Sequence, residues 1–335
     1  MPAGFALNAR AAIVGIAGTA LSAEEVALFR ATPPLGVILF ARNIVAPAQL
    51  RALNDSIHGL LGAEAPILVD QEGGRVARLR PPHWPAFPPA AAFENLSAEA
   101  ARANAALLGL TCRGAGFDVA CAPVLDLRLP GAHGVIGDRA FSAAPAEVAR
   151  LGAAWVAGLQ AAGCIPVIKH IPGHGRAMVD SHLDLPRVDA GRADLAADLA
   201  PFAALAASGA WAMTAHILYA ALDPVLPATL SPAVIGQVIR GEIGFDGVLV
   251  SDDLAMKALR GDPGALAAQS IAAGCDLVLH CTGVLAETAA ALVGCPVLGG
   301  RAAARLAAAR AAARPHPLDD AALLALRDAE LAAAA

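Results

Sequence analysis

Between Lys169 and Pro186 the chain reads KHIPGHGRAMVDSHLDLP, which sets His170, His174 and His182 among Lys169, Arg176, Asp180 and Asp184 in a run broken by glycine and proline. Three explanations fit such a set: a metal site, a proton-transfer site, or a polar loop without chemistry. Asp180 and His182 stand two residues apart, so in an extended segment both side chains project to the same side. A carboxylate beside an imidazole fixes its tautomer, raises its pKa and favours the imidazolium. His182 is then an acid that can return as a base. Ser181 between them is expected to point the wrong way for a nucleophile, and no GxSxG elbow accompanies it. A second reactive candidate lies in VLVSDDLAM, where Asp252 ends an apolar run. A carboxylate held there can attack an electrophilic carbon. Paired with a separate acid it gives the logic of a retaining glycosidase, with a histidine in place of the usual second carboxylate.

The metal alternative draws on His170, His174, His182 and His216 with Asp70 or Asp252, a donor set suited to a hydrolytic zinc or two-metal site. No H-x-H or H-E-x-x-H spacing occurs, and Lys169 with two arginines near the same rim would repel a dication, so neither a metal nor another cofactor is expected. Asp126, Arg128 and Asp253 read equally well as salt-bridged loop residues.

The elements that must position these groups are short apolar runs, each followed by an alanine-rich helical stretch: IVGIA (13–17), GVILF (36–40), PILVD (66–70), FDVACA (117–122), IPVIK (165–169), AWAMT (210–214), GVLVS (247–251) and CDLVLH (275–280). Continuous apolar runs mark strands buried on both faces, and their alternation with helices implies parallel pairing. Ser22 with Glu25 reads as a capping box, Ser231 with Pro232 as a helix start, and Gly241 or Gly244 as a stop. Eight such units predict an α/β fold, a single-domain (β/α)8 TIM-like barrel over 1–335 with a C-terminal helical tail from about 300. A doubly wound open sheet is the alternative, but GIAGTA lacks the third glycine of its phosphate fingerprint. The Pro-rich PPHWPAFPPA is expected to be a long ordered loop rather than a linker. In a barrel the active site lies at the C-terminal strand ends, and five of the eight runs end there in a charge or an imidazole. Burying such groups is costly unless they pair with each other or with a ligand, so stability alone does not explain them.

Composition narrows the partners. Hydrophobic residues make up 57% of the 335, charged residues 16%, and the net charge is -5, which offers no basic face for nucleic acid and suits a small substrate. Arg301, Arg305, Arg310 and Arg314 fall at near-helical spacing and read as a solvated helix face. The six cysteines form no framework and are expected to be reduced, buried thiols in a cytoplasmic protein. Arg10 followed by AAIVGIAGTALSA imitates a signal peptide, but the capping box directly after it favours a first core strand. The uncharged stretch 199–222 is long enough to span a bilayer, yet Pro201, Ser208, Gly209, Thr214 and His216 interrupt it, so a helix, a turn and a strand are expected instead. No membrane contact and a monomer are expected.

The set LFARN, VDQEGGRVARLR, IGDRAFS, KHIPGHG with VDSHLDLP, MTAHI and GEIGFDGVLVSDDLAM, running from about Ile13 to Cys281, resembles the bacterial β-N-acetylhexosaminidases of glycoside hydrolase family three, the NagZ type. The resemblance implies a retaining hydrolase that removes terminal β-linked N-acetylglucosamine, typically from cytoplasmic muropeptides during peptidoglycan recycling. It aligns Asp252 with the nucleophile, His182 with the general acid/base and Asp180 with the partner of that histidine. It also matches Asp70, Arg78, Arg139, Lys169 and His170 with sugar-binding positions. Their chemistry suits the task, since a carboxylate accepts hydroxyl hydrogen bonds and the cationic groups donate them. Two departures stand out: GRAMVDSH replaces a small polar Asp-Thr, so Arg176 is expected to alter loop closure or leaving-group preference, and Ile171 replaces a frequent aromatic as a packing change. A metal-dependent barrel hydrolase and a non-catalytic sugar-binding barrel are the competing functions.

Overall fold

A computed structural model describes residues 8–131, 134–178, 181 and 184–334. Eight parallel strands close into a barrel: β1 (Arg10–Gly15), β2 (Pro34–Leu39), β3 (Ile67–Val69), β4 (Val119–Ala120), β5 (Ile165–Ile171), β6 (Trp211–Thr214), β7 (Leu249–Asp253) and β8 (Leu277–His280). Each strand pairs with the next in sequence, and β8 closes on β1 through Ala12 opposite Val278. All eight apolar runs are therefore barrel strands, and the open-sheet alternative falls away.

The burial pattern explains why these runs are apolar throughout. Ile13, Ile38, Leu68, Val167, Val250 and Leu279 fill the barrel interior. Their neighbours Val14, Val37, Val69, Ile168, Leu249 and Val278 pack outward under the helices. A strand with period-two side chains and two covered faces has no polar position to spare. Strand limits differ from the sequence reading where backbone pairing decides them. β1 begins at Arg10, whose N–H donates to Pro33 O at 2.8 Å, and β5 and β7 run on far enough to include His170 and Asp252.

The helices α1 (Ala23–Ala31), α2 (Pro47–Leu61), α3 (Ala98–Gly114), α4 (Pro145–Ala161) and α5 (Arg192–Ala204) follow the first five units in order. After β6 comes a helix of π-type bonding, Val234–Glu242, and then α6 (Pro263–Ala273), α7 (Leu285–Gly294), α8 (Gly300–Ala312) and α9 (Asp320–Ala334). Ser22 and Glu25 form the expected capping box, and Ser231 Oγ accepts the Val234 amide at 3.0 Å. Among the described residues no helix is long and apolar enough to cross a membrane, and 199–222 divides into the end of α5, a turn and β6. All six cysteines are buried and free.

The arginine stripe on α8 is not simply solvated. Arg305 reaches Asp276 at 2.7 Å and also pairs with Asp246, while Arg310 pairs with Glu64 at 2.7 Å. These contacts join the helix to the strand-start face of the barrel, because Asp276 Oδ2 also accepts the Leu249 amide at 2.9 Å.

Candidate functional site

The C-terminal ends of the strands surround a cavity of about 380 Å³. Asp70, Arg78, Arg139, Lys169, His170 and Asp252 all line it, so six of the eight residues singled out from the sequence meet in one place. Asp180 and His182 lie outside the described residues. Ser181 between them is described: it is buried, lines the cavity, and its Oγ is 3.3 Å from His174 Nε2.

Lys169 organises one wall. It comes from β5, its side chain is 3% exposed, and its Nζ lies 3.1 Å from Asp70 Oδ1 and 2.7 Å from Glu72 Oε1. Asp70 also accepts from Arg78 Nη2 at 3.0 Å, and Glu72 takes Arg139 with two parallel hydrogen bonds of 2.8 and 2.9 Å. Burial alone would neutralise these groups, and mutual attraction reverses that outcome. It overcomes the burial penalty on Lys169, whose pKa rises above the usual ammonium range beside Asp70 and Glu72. Asp70 is held well below the usual carboxylate range by Lys169 and Arg78, again against burial. Glu72 is brought down to about 2, with burial opposed by Arg139 and Lys169. Each carboxylate has lone pairs beyond those its cations use, so Asp70 retains capacity to accept hydroxyls.

Asp252 faces the same cavity from β7. Its amide donates to Thr214 Oγ1 at 3.3 Å, and its Oδ1 accepts the Asp253 amide at 2.8 Å. Burial works to raise its pKa, but the imidazoles of His216 and His170, the Asp253 N–H and the Lys169 ammonium outweigh it, so the net shift is downward. The result is an ionised carboxylate in a partly desolvated site, the state a nucleophile needs. Asp253 next to it does structural work, since its Oδ1 accepts the Ala255 and Cys281 amides at 3.0 Å each. Among the described residues it forms no ion pair of the kind the sequence reading allows.

Two residues here were undervalued from sequence. Glu72 follows Asp70 by two positions in VDQEGGR, a spacing that in extended chain puts both on one side. Asp126, which also reads as a salt-bridged loop residue, does pair with the His170 imidazole, but it is fully buried and accepts two backbone amides as well. Arg128 does form the loop ion pair expected of it, with Glu94. Arg176 turns away from the cavity to α5, where its Nε meets Asp198 Oδ2 at 2.6 Å and its Nη2 meets Asp194 O at 3.0 Å. The glycines of KHIPGHG serve close packing. Gly173 takes a φ of +134°, and a Cβ at Gly175 would collide with the Leu127 backbone, so both let the turn pack closely.

For the metal alternative, the histidines are largely committed. His216 has Nδ1 2.7 Å from Thr229 Oγ1 and Nε2 2.9 Å from the Asp253 carbonyl, and His170 Nδ1 is on Asp126. Among the described residues no three His, Cys, Asp or Glu side chains group as a metal site requires.

Comparison with known proteins agrees with this architecture. The profile of the Glycosyl hydrolase family 3 N terminal domain matches residues 15–300. A beta-hexosaminidase of Alkalilimnicola ehrlichii is 46% identical over 283 residues, 80% of each chain. Among solved structures, a glycoside hydrolase family 3 beta-N-acetylglucosaminidase from Paenibacillus superposes with a TM-score of 0.82 at 35% identity, covering 92% of this chain and 63% of that one. NagZ from Neisseria gonorrhoeae in complex with N-trifluoroacetyl-D-glucosamine gives 0.82 at 32% identity, covering 97% of both chains. With its barrel, its acid-lined cavity and a match over most of its length, the chain belongs to glycosyl hydrolase family 3 and is a glycoside hydrolase.

Proposed function

We propose that this enzyme is a retaining exo-β-N-acetylglucosaminidase that removes terminal β-linked N-acetylglucosamine, from muropeptides in peptidoglycan recycling. The observation that carries the reading is Asp252: an ionised carboxylate at the end of β7, in a cavity of sugar size whose opposite chemistry is the Asp70, Arg78 and Lys169 cluster. The names of its relatives support the glycan: a beta-hexosaminidase in one case, and in another an enzyme holding N-trifluoroacetyl-D-glucosamine.

In this reading an Asp252 oxygen attacks the anomeric carbon as the bond to the leaving-group oxygen breaks, giving a covalent glycosyl-enzyme. His182, oriented and charged by Asp180, gives its proton to the departing oxygen. It then takes a proton from water as that water displaces Asp252, which restores both residues. Asp70 accepts from sugar hydroxyls, Arg78, Arg139, Lys169 and His170 fix the ring, and Lys169 and His170 favour the anionic form of Asp252. No metal takes part. Residues 1–335 act as one unit, a monomer in the cytoplasm, where six reduced thiols are stable.

The test is covalent trapping with a fluorinated N-acetylglucosaminyl donor followed by peptide mass spectrometry. The expected result is one sugar on the peptide containing Asp252. Turnover of an aryl N-acetyl-β-glucosaminide with no adduct under any trapping condition would instead favour catalysis by the substrate's own acetamido group.

A further inference from the structure

Beyond β4 the segment CAPVLD runs beside β5, with Leu125 N donating to Lys169 O at 2.7 Å. This places Asp126, which exposes no surface, beneath the turn that follows β5. Its Oδ1 accepts the His170 amide at 3.1 Å and the His174 amide at 2.6 Å, and its Oδ2 lies 2.6 Å from His170 Nδ1. One carboxylate therefore holds both ends of the HIPGH turn and the ring of its first histidine.

The protonation state follows from chemistry. Burial opposes ionisation of Asp126, but the His170 imidazole and the His174 amide outweigh it and bring its pKa to about 2. An ionised carboxylate only accepts, so the contact with the ring is Nδ1–H donating to Oδ2. Nε2 is left as the ring nitrogen for the cavity that His170 lines together with Asp252 and Lys169. A flip of the ring would break the Nδ1 bond and leave a buried carboxylate oxygen unmatched.

From this geometry we infer that Asp126 is a positioning residue for sugar recognition: it fixes the ring plane and the Nδ1–H form of His170 so that Nε2 meets a hydroxyl of the bound sugar. The inference rests on the sugar-binding reading of the cavity. It differs from a purely structural role, in which Asp126 would only hold the turn and the state of the ring would not matter.

Nitrogen-15 spectra of histidine-labelled full-length enzyme read the proton position directly, and His170→Ala identifies its signals. A proton on Nδ1 of His170 is expected, and a ring carrying its proton on Nε2 alone overturns the inference, whether or not any variant folds. Asp126→Asn keeps the size but places an NH2 group among three donors. It should lower kcat/KM for an aryl N-acetyl-β-glucosaminide by about 10 to 100-fold, the scale of loss when the partner orienting a metal-bound imidazole is removed. In a His170→Ala background the same change should cost less than about threefold, because the two residues act as one unit. A full loss retained in that background overturns the inference in favour of a structural role. A wild-type enzyme inactive on the glycoside overturns the sugar reading itself, and the spectra tell the two failures apart because they do not depend on turnover.

Discussion

Glu72 grips Arg139 with both carboxylate oxygens, 2.8 Å from Nε and 2.9 Å from Nη2, and the same Oε1 that meets Nη2 also receives Lys169 at 2.7 Å. Arg139 is thus fixed at two points on a buried carboxylate and cannot pivot. Arg139→Lys keeps the charge but not the planar fork. It should raise KM for an aryl N-acetyl-β-glucosaminide by about tenfold, equivalent to about 1.4 kcal/mol, with a smaller effect on kcat. Steady-state kinetics check this, and an unchanged KM would show that the fork is not needed to hold the ring.

Lys169→Met removes the cation shared by Asp70 and Glu72 and leaves two buried carboxylates partly unmatched. Breaking a buried pair from one side costs about 3–5 kcal/mol. The expected outcome is a urea midpoint lowered in proportion, accompanied by a large loss of activity. A midpoint within error of wild type would show that water or Arg78 and Arg139 already compensate both acids.

Acid should unfold the protein through these same groups. Asp70, Glu72 and Asp126 all have folded pKa values depressed below their ordinary range, the last two to about 2. A depressed carboxylate stabilises the fold above its unfolded pKa, near 4, and that contribution is lost as pH falls toward the folded value. Asp198 and Asp253 are shifted upward chiefly by burial, so their contribution has the opposite sign and fades as pH rises through their folded values. Urea unfolding at pH 7, 4.5, 3 and 2 should show the main fall between about pH 4 and 2. A stability flat across that window would mean the buried acids are equally well paired when the chain unfolds.

Arg176 makes a stability prediction rather than a kinetic one. Its bond to Asp198 supplies the only hydrogen bond to that carboxylate's Oδ2 among the described residues, and Asp198 Oδ1 is buried without a partner. Arg176→Ala should destabilise by about 1–3 kcal/mol, the cost of leaving a buried acceptor unmatched. Asp198→Asn in the same background should recover part of it. Equal midpoints for Arg176→Ala and wild type would mean that this contact contributes nothing in solution.

Much of the architecture was legible because it rests on local pattern. Strands covered on both faces need apolar residues at every position, so Ile13, Val37, Leu68, Ile168 and Val250 announced the barrel before any pairing was known. Asp70, Lys169 and Asp252 were legible because they end such runs. Asp126 was not, since its partner His170 lies 44 residues away and the two meet only because β4 and β5 are neighbours in the closed sheet. The same reason hid the partners of Arg305 and Arg310, which are brought to α8 by the folded barrel. The partner of Arg176 was hidden because spacing along the loop says nothing about α5 beside it.

Among the described residues lining the cavity, four carboxylates, Asp70, Glu72, Asp252 and Asp253, face four fixed cations, Arg75, Arg78, Arg139 and Lys169. An uncharged sugar entering such a site displaces no counterions and gains little from long-range attraction. Its capture should therefore be almost indifferent to ionic strength: KM for an uncharged glycoside measured between about 0.01 and 1 M salt, where the screening length shrinks from about 30 to 3 Å, should stay nearly level.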